Sequence, residues 1–158
     1  MDELLKPWVS DKGQCQFPEN GKTLKEITSK IPNTPGVYII YNSKGEIVYI
    51  GKAGTINQDG TFKKQGLRRR LNNQHHGMRR EDYFISKIGE DGIDYIDIKW
   101  YELTSGVIPG YVEGVLIQQF FNRNNGRLPI WNEGLKKNNH EHSSKSYRNC
   151  HTGSSWSV

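Results

Sequence analysis

Two short apolar runs, 37–41 and 47–50, flank the polar segment Asn42, Ser43, Lys44, Gly45 and Glu46. β-branched and aromatic residues fill both runs, which predicts a β-hairpin. A two-residue turn with Lys44 and Gly45 at its tip pairs Ile40 with Tyr49. Tyr38 and Tyr49 then share a face as diagonal neighbours. A three-residue loop shifts the register and sends the two tyrosines to opposite faces. Both turns fit the sequence. Upstream, Leu24, Ile27 and Ile31 recur at helical spacing behind Thr23, and Glu26 completes a capping box. A helix is therefore expected over 23–31, stopped by Pro32. Residues 1–21 read as mixed and turn-rich, with Trp8, Phe17 and Pro18 as anchors.

Downstream of the hairpin, the polar, glycine-bearing stretch 52–66 reads as a functional or disordered loop. Leu67 and Leu71 lie one helical step apart and predict a helix that runs towards Gln74, His75 and His76. Gly77 breaks it. A second helix opens at Arg79 and Arg80, with Phe84, Ile85 and Ile88 as its apolar side and Gly89 at its end. Alternation over 93–103 predicts a third strand, its even positions Ile96, Ile98 and Trp100 being the more apolar. Pro109 suits the first turn of a helix running to Phe121. The segment 128–132 is expected to dock on the core, and the polar residues from 136 onward to form a flexible tail.

Composition narrows the class. An apolar fraction of 34% with 25% charged residues describes a polar globular protein. The net charge of +5 makes an anionic partner plausible without naming it. Cys15 and Cys150 form neither a disulfide framework nor a paired zinc motif, and read as free thiols of an intracellular protein. His140, His142, Cys150 and His151 match no familiar zinc spacing. No apolar run approaches the ~20 residues of a membrane span, and residues 1–8 lack the pattern of a signal peptide.

Glu113 falls inside the apolar stripe formed by Val112, Leu116, Ile117 and Phe120. An inward carboxylate is costly unless it is paired or binds a cation. A salt bridge to one of the arginines and a metal site both answer that cost.

The chain resembles the GIY-YIG nuclease family over about residues 35–133. Gly36, Val37 and Tyr38 match the first half-motif, with valine for isoleucine, and Tyr49, Ile50 and Gly51 match the second. Lys52 and Ala53 follow as in the excision-repair members. Leu67 to Leu71 resembles the family segment that places its arginine at Arg70. Glu113 with Leu116 and Ile117 matches the Glu-x-x-Leu-Ile helix, and Pro129 to Asn132 resembles the closing motif. The departures are an insertion between Lys52 and Arg70, a longer interval from Glu113 to Asn132, and Gln74 where the family has tyrosine or histidine. His75 is carried as the candidate for that place. The implied fold is α+β: a small three-stranded antiparallel sheet flanked by helices. The implied organisation is an N-terminal extension with one helix packing on the core over 1–34, a nuclease domain over 35–135 and a tail over 136–158.

The resemblance also implies a chemistry, phosphodiester hydrolysis. Glu113 is the metal ligand, holding one Mg²⁺ or Mn²⁺ per active site. Arg70 clamps the phosphate. Tyr49 positions and deprotonates the attacking water, assisted by Tyr38 or His75, and Lys52 lowers its pKa by favouring the phenolate. Core packing is the competing role for Tyr38, and a structural hydrogen bond for Asn132. Lys63, Lys64, Arg68, Arg69, Arg79 and Arg80 are candidate phosphate contacts on double-stranded DNA.

The expected protein is thus a metal-dependent DNA endonuclease of the cytoplasm of a prokaryote or phage. The type II restriction enzymes of the family are its nearest likeness, acting as a homodimer on DNA. A nuclease for branched or structured DNA, from a repair system or mobile element, is the alternative. An idle nucleic-acid-binding module is a third reading, disfavoured by the intact tyrosine, arginine and glutamate set.

Overall fold

The computed structural model describes residues 1–63 and 65–132. The elements run α1 (Asp2–Leu5), a 3-10 turn (Lys6–Trp8), β1 (Val9–Phe17), α2 (Leu24–Ile27), β2 (Gly36–Asn42), β3 (Ile47–Ala53), α3 (Leu67–Asn72), α4 (Arg80–Asp91), β4 (Ile96–Leu103) and α5 (Pro109–Arg123). The strands form one antiparallel sheet in the order β1-β4-β2-β3. The class is α+β as expected, but the sheet has four strands rather than three. The added strand, β1, comes from the segment read as turn-rich. It is an edge strand that turns Gly13, Cys15 and Phe17 towards the core and leaves most other positions exposed. Such a strand needs few apolar residues, so its sequence looks polar.

Two apolar layers cover the sheet. On one face Tyr38, Ile40, Tyr49, Ile96, Ile98 and Trp100 pack with Leu24, Leu67, Leu71, Phe84 and Trp131. On the other, Val37, Ile39, Ile50, Tyr101 and Leu103 pack with Leu5, Val112 and Leu116. Helices α2, α3 and α4 therefore lie over one face, and α1 and α5 over the other. α1 is tied down by the Tyr101 hydroxyl, which donates to Asp2 at 2.8 Å. The capping box of α2 is present, with Thr23 and Glu26 bonding each other's backbone. α2 is shorter than the expected 23–31, because the Thr28 hydroxyl turns back onto the Leu24 carbonyl at 2.8 Å and ends it. α4 runs past Gly89 and stops at Gly92, which takes the left-handed conformation.

The hairpin resolves the two registers in an unexpected way. Its loop has three residues, Ser43 to Gly45, closed by Asn42 N–H to the Glu46 carbonyl at 2.9 Å and Gly45 N–H to the Asn42 carbonyl at 2.9 Å. Gly45 supplies the positive φ that this loop requires. Tyr41 then pairs with Ile47, but Ile40 pairs with Tyr49. Val48 is the extra residue of a β-bulge, and it restores the register that the loop displaces. Tyr38 and Tyr49 consequently share a face.

Residues 128–132 dock on the exposed edge of β3. Trp131 N–H donates to the bulge carbonyl of Val48 at 2.9 Å. The Asn132 side chain accepts from Ile50 N–H and donates to the Ile50 carbonyl, both at 2.9 Å. This amide substitutes for a neighbouring strand and protects an edge. Asn132→Ala strands two buried backbone groups, at a cost of about 1–3 kcal/mol for each. Urea unfolding is the measurement, and the midpoint is expected to fall accordingly.

Candidate active site

Tyr38 and Tyr49 project from the central strand β2 and the edge strand β3 onto the α3 and α4 face. Their rings stack at 5.8 Å between centroids with 26° between planes. They close over Gly51, where an added Cβ would lie 2.6 Å from both rings. Glycine is required there by the two phenols, not by its own backbone angles.

α3 delivers Arg70 to this face. The helix starts at Gly66, and Leu67 N–H bonds the Thr34 carbonyl at 2.9 Å. Leu67 and Leu71 are fully buried, which leaves Arg70 half-buried in the last turn. α3 stops at Asn72, short of the histidines. A tight turn at His76 and Gly77, both with positive φ, then folds His75 back against Met78. That turn brings the His75 ring edge-on to Tyr49 at 6.5 Å and to Tyr83 at 4.4 Å. Gln74 remains exposed, so His75 is the residue that meets the tyrosine.

One residue outside the candidates joins this face, and one candidate proves to be buried in it. Tyr83 completes the ring cluster, also meeting Trp131 at 6.3 Å. Arg80, read as a surface phosphate contact, is 1% exposed and belongs to the interior of this face. The signal was present: Arg80 lies four residues before Phe84 and eight before Ile88, on the apolar stripe of α4.

The electrostatics follow from burial. Burial, then the neighbouring Tyr38 phenol, pushes the Tyr49 phenol above its ordinary value, against the opposing pull of Arg80 and Arg70. Burial, then Arg80, lowers His75 to about 4. Both groups are therefore neutral at neutral pH. The Arg70 Nε is buried with no hydrogen-bond partner among the described residues. Neither Arg70 nor Arg80 has an ion-pair partner among the described residues.

Lys52 and Glu113 sit on the other side of β3. Lys52 alternates with Gly51 and points to α5, where its Nζ meets Glu113 Oε2 at 2.9 Å. Lys52 therefore does not favour a Tyr49 phenolate as the sequence suggested: it faces away and is already paired. The inward cost of Glu113 is met by this lysine rather than an arginine. No hydrogen bond, ion pair or ring contact joins this pair to the tyrosine cluster among the described residues. Nor do three or more His, Cys, Asp or Glu side chains there form a metal cluster. A lone carboxylate with one oxygen uncommitted suits an ion that keeps most of its ligands as water, as Mg²⁺ does. The residues present thus fit a cation that arrives with a phosphate.

The remaining candidates divide. Lys63, Arg68 and Arg69 are exposed. Lys63 lies on a small hairpin in which Ile56 bridges Phe62, so the 52–66 loop has structure of its own. Arg68 donates to the Ser29 carbonyl at 3.3 Å. Arg79 makes a two-pronged bond to Asp82 at 2.7 and 2.8 Å. Lys64, the zinc residues His140, His142, Cys150 and His151, and the 136–158 tail lie outside the described residues. Burial pushes the Cys15 thiol up to about 11, which leaves it neutral and unreactive. A groove of about 1070 Å³ at the hairpin turn and the end of α5 contains none of these candidates. No described helix is long and apolar enough to cross a membrane.

A relative is found by sequence. Over 59 residues the chain is 29% identical to the UvrABC system protein C of Mesorhizobium japonicum. The stretch is 37% of this chain and 9% of that protein, so the chain spans a small part of its relative's length. The likeness is a similarity over that stretch alone and carries nothing about a restriction subtype. No protein-family model matches the chain, and no solved structure matches it.

The His75 shift sets a pH window. The unfolded chain binds a proton near the ordinary value of 6.5, whereas the folded chain binds it near 4. Stability is therefore complete above pH 6.5 and falls as the pH drops towards 4. NMR titration of the His75 ring is expected to give a midpoint near 4. His75→Gln is expected to flatten the acid limb of thermal stability.

Proposed function

We propose that this protein is a metal-dependent DNA endonuclease that hydrolyses phosphodiester bonds. The observation that carries the reading is the half-buried Arg70 guanidinium on the Tyr38–Tyr49 face, whose Nε has no hydrogen-bond partner and which has no ion-pair partner among the described residues. Such a fork suits the non-bridging oxygens of a phosphodiester. β3 is an edge strand, and the substrate phosphate lies beside Gly51, within reach of both sides of that strand. Glu113 is the residue that would hold one Mg²⁺ or Mn²⁺. When bound, the ion neutralises phosphate charge and stabilises the leaving 3′-oxygen.

The protein groups divide the remaining work. Arg70 binds and orients the phosphate. Tyr49, a neutral phenol, orients the attacking water by hydrogen bonding instead of acting as an anionic base. The water oxygen bonds to phosphorus as the P–O3′ bond breaks, and the water proton passes to a neighbouring base. Neutral His75, edge-on to Tyr49, has a lone pair for that proton. Lys52 pairs with the Glu113 carboxylate at 2.9 Å and would add a further positive charge for the phosphate. Asn132 is a positioning residue: it fixes Ile50, next to both Tyr49 and Gly51. Lys63, Lys64, Arg68, Arg69 and Arg79 supply phosphate contacts that hold the duplex.

Two subtypes divide the reading. A restriction enzyme cuts duplex DNA at one sequence as a homodimer, in accord with the compact domain and the inserted loop. A structure-specific nuclease cuts branched DNA, and the likeness to UvrABC system protein C favours this second reading.

The test is incubation of plasmid and branched DNA with the protein and Mg²⁺, beside Glu113→Ala. Wild-type protein is expected to cleave, and the variant to lose about 100-fold or more of the rate. Its stability is expected to change by less than about 1 kcal/mol, because the Lys52–Glu113 pair is partly exposed. Discrete fragments mark the restriction enzyme, and cleavage confined to branched DNA marks the second subtype. Binding without cleavage across several divalent ions refutes both.

A further inference from the structure

Arg80 is 1% exposed, yet its Nε and Nη2 have no hydrogen-bond partner. It has no carboxylate partner either, among the described residues. Its ring contact is the Phe84 face, 5.9 Å from the guanidinium carbon. Burying an unpaired guanidinium costs more than one such contact returns. Structure alone thus gives a poor reason for an arginine here.

Its neighbours supply a better one. Arg80 stands at the start of α4 on the Tyr38–Tyr49 face, close enough to influence both Tyr49 and His75. Arg70 influences the same two groups. Arg80 Nε and Nη2 and Arg70 Nε are all buried on this face with no hydrogen-bond partner among the described residues. The set contains two fixed positive charges and no acidic group. Its complement is a compact anion with several acceptor oxygens, which a phosphate provides.

We propose that Arg80 is a second phosphate-binding residue of this site, holding with Arg70 one phosphate group of the nucleic-acid backbone. The proposal rests on the nuclease reading for the source of the phosphate, but not for the affinity of the two arginines for an anion. It also distinguishes Arg80 from Arg68, Arg69 and Arg79, which are exposed.

The test uses the full chain, with inorganic phosphate as the probe, calorimetry as the readout and a short duplex DNA as competitor. Arg80→Met removes the charge at similar volume, and Arg80→Lys keeps the charge without the fork. Wild-type protein is expected to bind phosphate and to release it to the duplex. Both variants are expected to bind it about tenfold or more weakly, since charge-assisted hydrogen bonds are lost. The thermal midpoint of Arg80→Met in phosphate-free buffer is expected to equal or exceed the wild-type value, because an unpaired buried charge is gone. A lowered midpoint with unchanged phosphate affinity overturns the proposal and makes Arg80 a packing residue. Should Arg80→Met not fold, unchanged affinity in Arg80→Lys overturns it equally. Phosphate that the duplex does not displace overturns the assignment to a nucleic-acid backbone. The two readings fail separately. Wild-type protein that binds phosphate through Arg80 but cleaves no DNA refutes the nuclease and leaves the anion binding. Undiminished cleavage by Arg80→Met refutes the role of Arg80 and leaves the nuclease.

Discussion

The bulge at Val48 is the constraint on which the site depends. The three-residue loop alone would pair Tyr49 with Ile39 and turn it to the α5 face, away from Tyr38. One extra residue in β3 reverses that, and Tyr49 pairs with Ile40. A bulge leaves a carbonyl without a strand partner, and Trp131 N–H takes it. Asn132 secures Ile50, two residues on. The far end of the described chain thus fixes the register of its first hairpin. That ties core, sheet edge and site into one arrangement, in which Gly51 is the residue small enough to lie under both phenols.

An edge strand with this register presents different chemistry on its two sides. One side gathers phenols, an imidazole and two guanidiniums that have no ion-pair partner among the described residues. The other carries the carboxylate and its lysine, held by α5. Separation keeps Glu113 from neutralising Arg70 or Arg80, which stay available to an anion. It also means that Lys52 does not draw Tyr49 towards the phenolate. Burial keeps that phenol neutral, and the arginines on its own face are the groups that oppose burial.

Much of this was legible in the residues, for reasons that differ by element. The hairpin, β4, α4 and α5 carry strong two-fold or helical periodicity and follow from it. The order of the candidates along the chain singles out Tyr38, Tyr49, Arg70 and Glu113, but does not show that the first three share a face while Glu113 pairs with Lys52 on the other. β1 was not, because an edge strand with one buried face tolerates the polar run Ser10, Asp11, Lys12. The bulge was not, because it depends on a partner more than 80 residues away. The partner of Glu113 was misjudged, since counting arginines ignores which face of β3 carries Lys52. Arg80 reads in the sequence as one more phosphate contact beside Arg79, because its identity outweighs its place on the stripe of α4.

The claim that the register builds a reactive face is tested most directly by comparing Tyr49→Phe with Tyr38→Phe in single-turnover cleavage of DNA. Removing one hydroxyl leaves both rings stacked over Gly51, so neither variant should lose its fold. The account expects Tyr49→Phe to lose about 100-fold or more of the rate, at unchanged thermal stability. Wild-type rates from Tyr49→Phe would contradict it.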